Sequence, residues 1–254
     1  MVITIMGILS ASLTVFLKPA VEAYFDSRRR ADLSDIADTA IRRITTDARK
    51  AVPNSIRVYN DSCLSFVPAS GGGRYRMARD TSTASSKWLD FTALVDAFDV
   101  LSPLPVLPTA GDWVVISTQS GMDIYSGTNR HALSGSSSSS TGYSRITFSS
   151  SVQFPSSYES GRFFLVSNTE QVVVFNCVGG VLYRSTANFA DTESTICSAT
   201  SGAKLASDIE QCTFVYDPNQ GATQQNGYVW MRIKLVRSSE PVVLVSGVHV
   251  DNGP

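Results

Sequence analysis

Residues 33–52 read LSDIADTAIRRITTDARKAV, and the spacing of their apolar side chains decides the fold class. Leu33, Ile36, Ala37, Ala40, Ile41, Ile44, Ala48 and Val52 recur three and four apart, the interval that lines one face of an α-helix. The other face carries Asp35, Asp38, Arg42, Arg43, Asp47, Arg49 and Lys50, a mixed-sign set suited to water. A helix with one dry stripe needs a surface to cover it. Leu33, Ile36, Ala40, Ile41 and Ile44 are therefore expected to pack on a β-sheet, each large side chain contributing roughly 1.5–3 kcal/mol when fully buried.

Upstream, nothing from Met1 to Leu17 is charged. Val2, Ile3, Ile5, Gly7, Ile8, Leu9, Leu13, Val15, Phe16 and Leu17 are expected to form a surface for a membrane or for other helices. A bilayer span takes about 20 apolar residues, so the run is about one turn short. It also lacks the basic segment that opens a secretory signal, and its start is read as cut. Pro19 is expected to kink the helix near Val15 to Lys18 without ending it. Pro53, with Asn54 and Ser55 behind it, closes the helical zone. The reading is an apolar stem over 1–25, an amphipathic continuation over 26–52 and a β-rich domain over 53–254. At about 1.5 Å per residue the helix is roughly 75 Å long, more than a small core can cover, so its first half must bury itself outside this domain.

Downstream of Pro53 the period becomes two. Ser55–Tyr59 and Cys63–Pro68 predict a hairpin turning at Asn60, Asp61 and Ser62. Further strands are expected at Trp113–Thr118, Arg145–Phe148, Phe163–Ser167, Gln171–Cys177, Val181–Arg184 and Cys212–Tyr216. Over Tyr228–Val236 the alternation is clearest, with Val229, Met231, Ile233 and Leu235 on one side, as in a half-buried antiparallel strand. It should pair with Pro241–Val250 across Arg237–Glu240. Gly71–Gly73, the Pro103, Pro105 and Pro108 segment and Ser136–Ser140 read as loops. The fold class is α+β, a long, kinked amino-terminal helix packed on an antiparallel β-sheet domain.

The 254 residues carry a formal net charge of −1, which gives no footing for a nucleic-acid partner. The four cysteines, Cys63, Cys177, Cys197 and Cys212, stand in a Ser/Thr-rich chain behind an apolar segment, which fits an oxidising, extracytoplasmic setting. Four cysteines allow three connectivities. The expected one joins Cys177 to Cys197, for about 3 kcal/mol of chain-entropy stabilisation, and Cys63 to Cys212; Cys197 with Cys212 is nearly as plausible on spacing.

Neither His131 nor His249 sits in a metal or triad motif, and GxSxG, GxxxxGK[ST] and GxGxxG are absent. Asp217, Asn219 and Gly221 begin like a calcium loop, but Tyr228 stands where its twelfth-position acid belongs, so a hairpin turn is expected there. The reading is therefore no enzyme, no cofactor, no metal and no catalytic residue.

An apolar helical stem, an amphipathic continuation and a small disulfide-bearing β domain together resemble the type IV pilins and pseudopilins. MVITIMGILSA is similar to the segment that follows the family's mature Phe-Thr-Leu-x-Glu start, with Gly7 matching a common helix glycine. More specifically, LKPAVEAYFDSRRRADLSDIADTAIRRITTDARKAVPNSIRV, GDWVVI, VLYRS, CTFVYD and VHVDNGP resemble the O-type minor pilins of mannose-sensitive haemagglutinin (MSHA) pilus biogenesis. The middle loops match least, and the plan also resembles the J-type minor pseudopilins of type II secretion. This resemblance implies a minor subunit of a Gram-negative type IV pilus that helps initiate the fibre and affects attachment. It implies a single-pass inner-membrane protein with a periplasmic carboxy-terminal domain that moves to the cell surface, with other minor and major pilins as partners through the helix.

The sequence departs from the family in lacking the Gly/Phe processing site and the Glu near the mature start. Met1 is expected to lie about two turns inside that start, unless this copy is degenerate. Lys18 and Arg28–Arg30 after the span favour a cytoplasmic β domain by the positive-inside rule, whereas the cysteines favour the outward orientation. Two other classes stay open: an anchored periplasmic binding module that never polymerises, and an anchored hydrolase whose site is assembled from distant residues such as His131.

Overall fold

A computed structural model describes residues 2–116, 123–155, 161–220 and 226–253, with the side chains of residues 8–11, 14, 123 and 220 outside the description. Helix α1 (Val2–Ala48) contains Pro19 and is not ended by it. It closes earlier than its apolar period suggests. Lys50 N bonds to Asp47 O and Ala51 N to Ala48 O, tightened last-turn bonds, and Val52 N then donates to Val67 O at 2.8 Å. A carbonyl of the β layer thus draws Ala51 and Val52 out of the helix.

Along the chain follow β1 (Arg57–Tyr59), β2 (Cys63–Phe66), β3 (Gly71–Arg74), β4 (Val95–Val100), β5 (Trp113–Val115), a short α2 (Asp123–Ser126), β6 (Arg130–Ser137), β7 (Ser144–Val152) and β8 (Arg162–Val166). Then come β9 (Val172–Val178), β10 (Val181–Ala187), a short α3 (Glu193–Cys197), β11 (Ala203–Ala206), β12 (Ile209–Gln220), β13 (Asn226–Arg237) and β14 (Glu240–Asp251). Every named strand pair is antiparallel, and the class is α+β. Tight turns set two registers. Gly179 and Gly180 join β9 to β10 and Ser238 and Ser239 join β13 to β14, each at positive φ, the mirror-image turn whose twist suits a hairpin.

Three sheets result: β1-β2-β9-β10-β11, β12-β13-β14 and β3-β8-β5-β6-β7-β4. Since β2 pairs directly with β9, the whole six-stranded sheet, residues 71–166, is inserted between two neighbouring strands of the five-stranded one. The helix stripe lies against the other two sheets: Leu33, Ala37, Ala40, Ile41, Ile44 and Ala48 share a core with Leu64, Phe66, Val173 and Phe175 of one and with Phe214, Met231, Ile233 and Leu235 of the other. All five expected packing residues are in this core, Ile36 at its partly buried rim. The opposite face of the five-stranded sheet joins the inserted sheet through Val52, Val67, Val115, Val166 and Val174, just past the carboxy-terminal end of α1. The inserted lobe has its own aromatic core of Tyr75, Phe98, Phe148, Phe154 and Phe163.

Several expectations need correction. Gly71–Gly73 is strand β3, not loop, because a strand without side chains fits against β8 where a Cβ on Gly72 would stand 2.7 Å from Phe163 O. Ser136 and Ser137 close β6, opposite Ile146 and Arg145, rather than opening a loop. The cysteines pair as Cys63–Cys197 and Cys177–Cys212, with Cα–Cα distances of 5.6 and 6.3 Å, so both expected bonds and the alternative Cys197–Cys212 are replaced. The reason is face parity. Cys63 stands opposite Asn176 and shares the outer face with α3, while Cys177, one residue on, points to the helix-side face where Cys212 lies.

Candidate functional site: an unpartnered helical stem

Every described side chain of α1 from Val2 to Phe25 is exposed. Val2, Ile3 and Ile5 are 73, 88 and 57% exposed, Leu13, Val15, Phe16 and Leu17 54–78%, and a Cβ added at Gly7 would meet nothing. The side chains of Ile8 and Leu9 lie outside the described residues. Arg30 ties the helix to the domain, its Nε donating to Glu240 Oε2 at 2.6 Å on the β13–β14 hairpin. Below that ion pair roughly 40 Å of helix projects.

Its apolar character continues past the uncharged run. Leu17, Ala20, Val21, Tyr24 and Phe25 are exposed, while Lys18 pairs with Glu22 and Asp26 with Arg29 on the other side. At about 100° per residue Leu17, Ala20, Val21 and Tyr24 lie about half a turn around the axis from Leu33, Ala37, Ala40 and Ile44, and Phe25 about a quarter turn. The helix therefore changes faces: Leu33, Ala37, Ala40 and Ile44 turn toward its own sheets, while Leu17, Ala20, Val21 and Tyr24 turn away from them. No repositioning of the chain's own domain along this helix face would cover both. Val21, Tyr24 and Phe25 extend the expected surface of Val2–Leu17, and the three-and-four spacing of Leu17, Val21 and Tyr24 is present in the sequence. Among the described residues no helix is long and apolar enough to cross a membrane.

Where the helix joins the sheets, charge completes what packing begins. Asp47 is buried and accepts from Arg184 Nε at 2.6 Å and Arg43 Nε at 3.1 Å, and Arg184 also reaches Glu170 at 2.7 Å. Burial opposes the Arg184 charge, but the bonds to Asp47 and Glu170 outweigh it and raise its pKa. This network joins α1 to β10 and the β8–β9 connection, and no spacing in the sequence announces it.

A second surface lies in the inserted lobe: an open concavity of about 400 Å³ formed by the β3–β4 connection and the start of β4. Trp88, Leu94 and Val95 give it apolar walls, with Arg79, Asp90 and the Lys87–Asp96 ion pair (2.8 Å) among its polar groups. Beneath it Asp99 is wholly buried, accepting from Arg145 Nε at 2.8 Å, Ser139 Oγ at 2.9 Å, Lys87 N at 2.9 Å and Thr141 Oγ1. Burial pushes this carboxyl up, and the bonds from Arg145, Thr141, Lys87 and Ser139 overcome it and hold the pKa at about 2.

His131 is on strand β6. Its ring meets Phe154 edge-on at 4.7 Å, its Nε2 has no hydrogen-bond partner among the described residues, and burial together with the charge of Arg130 lowers its pKa. His249 stacks near Tyr228 on the outward side of the three-stranded sheet. No group of three or more His, Cys, Asp or Glu among the described residues could hold a metal ion. Asp217 and Asn219 lie on β12, their local bond an Asx-type turn from Asn219 N to Asp217 Oδ1, and Gly221 falls outside the described residues. Comparison with known protein families, with curated proteins and with solved structures finds no match.

Proposed function

We propose that this chain is a minor pilin-like structural subunit of a type IV (MSHA-type) pilus, held in the inner membrane by its stem and assembled through that stem with other minor and major pilins. One observation carries this reading: the exposed apolar stripe of Leu17, Val21 and Tyr24 lies about half a turn around the helix from the face that its own domain covers. A helix in a filament core needs apolar side chains on the side opposite its own domain, and Leu17, Val21 and Tyr24 supply them. In lipid the driving force for association is close packing, so exchange of lipid for neighbouring stems conserves the apolar surroundings of Val2–Leu17. The resemblance to the minor pilins suits a subunit placed at or near the tip.

The test is the native amino terminus, read by mass spectrometry on protein from its own cell. A processed, N-methylated Phe upstream of Met1 supports the proposal, and an uncleaved terminus at Met1 overturns it. A second reading, a membrane-anchored binding module that never polymerises, has the Trp88 concavity in its favour. It requires that loss of the protein leave pilus assembly unchanged.

A further inference from the structure

We infer that this chain reaches its native disulfides through a thiol–disulfide isomerisation step, and that a partner bearing an accessible, nucleophilic thiolate serves it during folding. The inference stands on connectivity and sheet register and does not depend on the pilin reading.

The two bonds are interlaced. In chain order the cysteines are 63, 177, 197 and 212, and each bond skips one: Cys63 with Cys197, Cys177 with Cys212. Oxidation of a chain as it emerges, or before it folds, favours neighbours. Cys197 and Cys212 are about fifteen residues apart, against separations of 35 and 134 for the native pairs. Loop-closure statistics then favour the wrong local pair about fourfold over Cys177–Cys212 and about 25-fold over Cys63–Cys197. Its formation leaves Cys63 and Cys177 to each other.

That leftover bond is sterically attainable and traps an error. In the native register Cys63 stands opposite Asn176, and Asn176 Nδ2 donates to Cys197 O at 3.0 Å and Ala199 O at 2.8 Å, placing the end of α3 over Cys63. A slip of one residue brings Cys177 opposite Cys63, at the close Cα spacing of facing antiparallel residues that a disulfide can bridge. The same slip moves Leu64 and Phe66, now wholly buried on the helix-side face, to the other face of the sheet. The inserted residues 71–166 separate β2 from β9 and make this pairing a late, long-range event that oxidation can overtake.

Escape is redox-neutral. The partner's thiolate attacks Cys197 in the Cys197–Cys212 bond, forming a mixed disulfide and releasing the Cys212 thiolate. Cys212 attacks Cys177 in the Cys63–Cys177 bond, forming the native Cys177–Cys212 pair and releasing Cys63. Cys63 then attacks Cys197 in the mixed disulfide, forming Cys63–Cys197 and expelling the partner's thiolate. Cys63 and Cys212 are buried in the finished fold, so the partner acts before the cores close.

The experiment refolds the full-length, reduced and denatured chain in three ways: with diamide alone, with a glutathione redox buffer, and with a purified disulfide isomerase in that buffer. Cross-linked peptides are mapped by mass spectrometry. Expected with diamide alone is an excess of Cys197–Cys212 over Cys177–Cys212 of about fourfold, converted to the native pairs by thiol and faster by the isomerase. A double variant, Cys63→Ser with Cys197→Ser, retains one possible bond and should oxidise at a rate that added isomerase does not change. Native pairing in full yield with diamide alone overturns the inference, as do mispaired chains that neither thiol nor isomerase converts.

Discussion

Replacing Ile44 by Ala separates the two halves of the helix energetically. Ile44 is wholly buried in the core that joins α1 to Phe66 and Phe175 on one sheet and to Met231 and Ile233 on the other. Truncation removes three carbons from a position boxed in on several sides, where the surroundings can collapse only in part. The expected cost is about 2–5 kcal/mol, a large share of a domain's total stability of about 5–15 kcal/mol. Leu17→Ala removes the same number of carbons from a side chain 54% exposed, and the expected change is within about 0.5 kcal/mol. Urea unfolding of the disulfide-intact protein in a mild detergent, followed by far-UV circular dichroism, should show the Ile44→Ala midpoint lower by about 1–2 M and the Leu17→Ala midpoint unmoved. Equal losses for the two variants, or less than about 1 kcal/mol for Ile44→Ala, would refute the division of the helix into a docked and an unpartnered half.

Asp99→Asn leaves Arg145 without its carboxylate in the inserted lobe, and differential scanning calorimetry should record a loss of about 3 kcal/mol. In the unsubstituted protein the Asp99 carboxyl, at about 2 when folded, lies below its unfolded value of about 3.9. Its contribution is thus present above the unfolded value and is lost as pH falls from there toward 2, a loss that the Asn variant should not show. His131 behaves differently: its folded pKa is lowered, so the neutral ring contributes fully above the unfolded value of about 6.5, and stability declines as pH falls below it. Thermal melts at pH 7.5 and at pH 5.5 should differ, less so for His131→Phe. Gly202→Ala places a Cβ against the Arg184 carbonyl, where backbone rather than a flexible side chain must move, and a fall of about 1–3 kcal/mol in chemical denaturation is expected.

The helix and the carboxy-terminal hairpin were legible because their signals are local. The three-and-four spacing from Leu33 to Ala48 and the alternation from Val229 to Leu235 each record one buried face, and both faces are buried as read. Strands β3, β4, β6 and β11 were not recognised. Gly71–Gly73 has no side chains to alternate, and β4 is fully buried from Ala97 to Val100 with Asp99 among its members, so polarity misstates its burial. The disulfides were misread because spacing carries no parity: only the opposition of Cys63 to Asn176, a long-range register, shows that Cys63 and Cys177 point to opposite faces. Likewise the Asp47–Arg184–Glu170 network joins residues whose proximity follows from strand order.

The central claim is that the stem's apolar stripe faces other subunits, and site-specific photo-crosslinking in the native cell tests it most directly. A photoreactive amino acid would be placed at Val21 or Tyr24 on the exposed stripe, and at Asp35 on the solvated face of the docked half as control. The account predicts crosslinks from Val21 and Tyr24 to a second helix-stemmed subunit, lost when pilus assembly is blocked, and none from Asp35. Crosslinks from Val21 and Tyr24 to lipid alone, unchanged by pilus assembly, would contradict it.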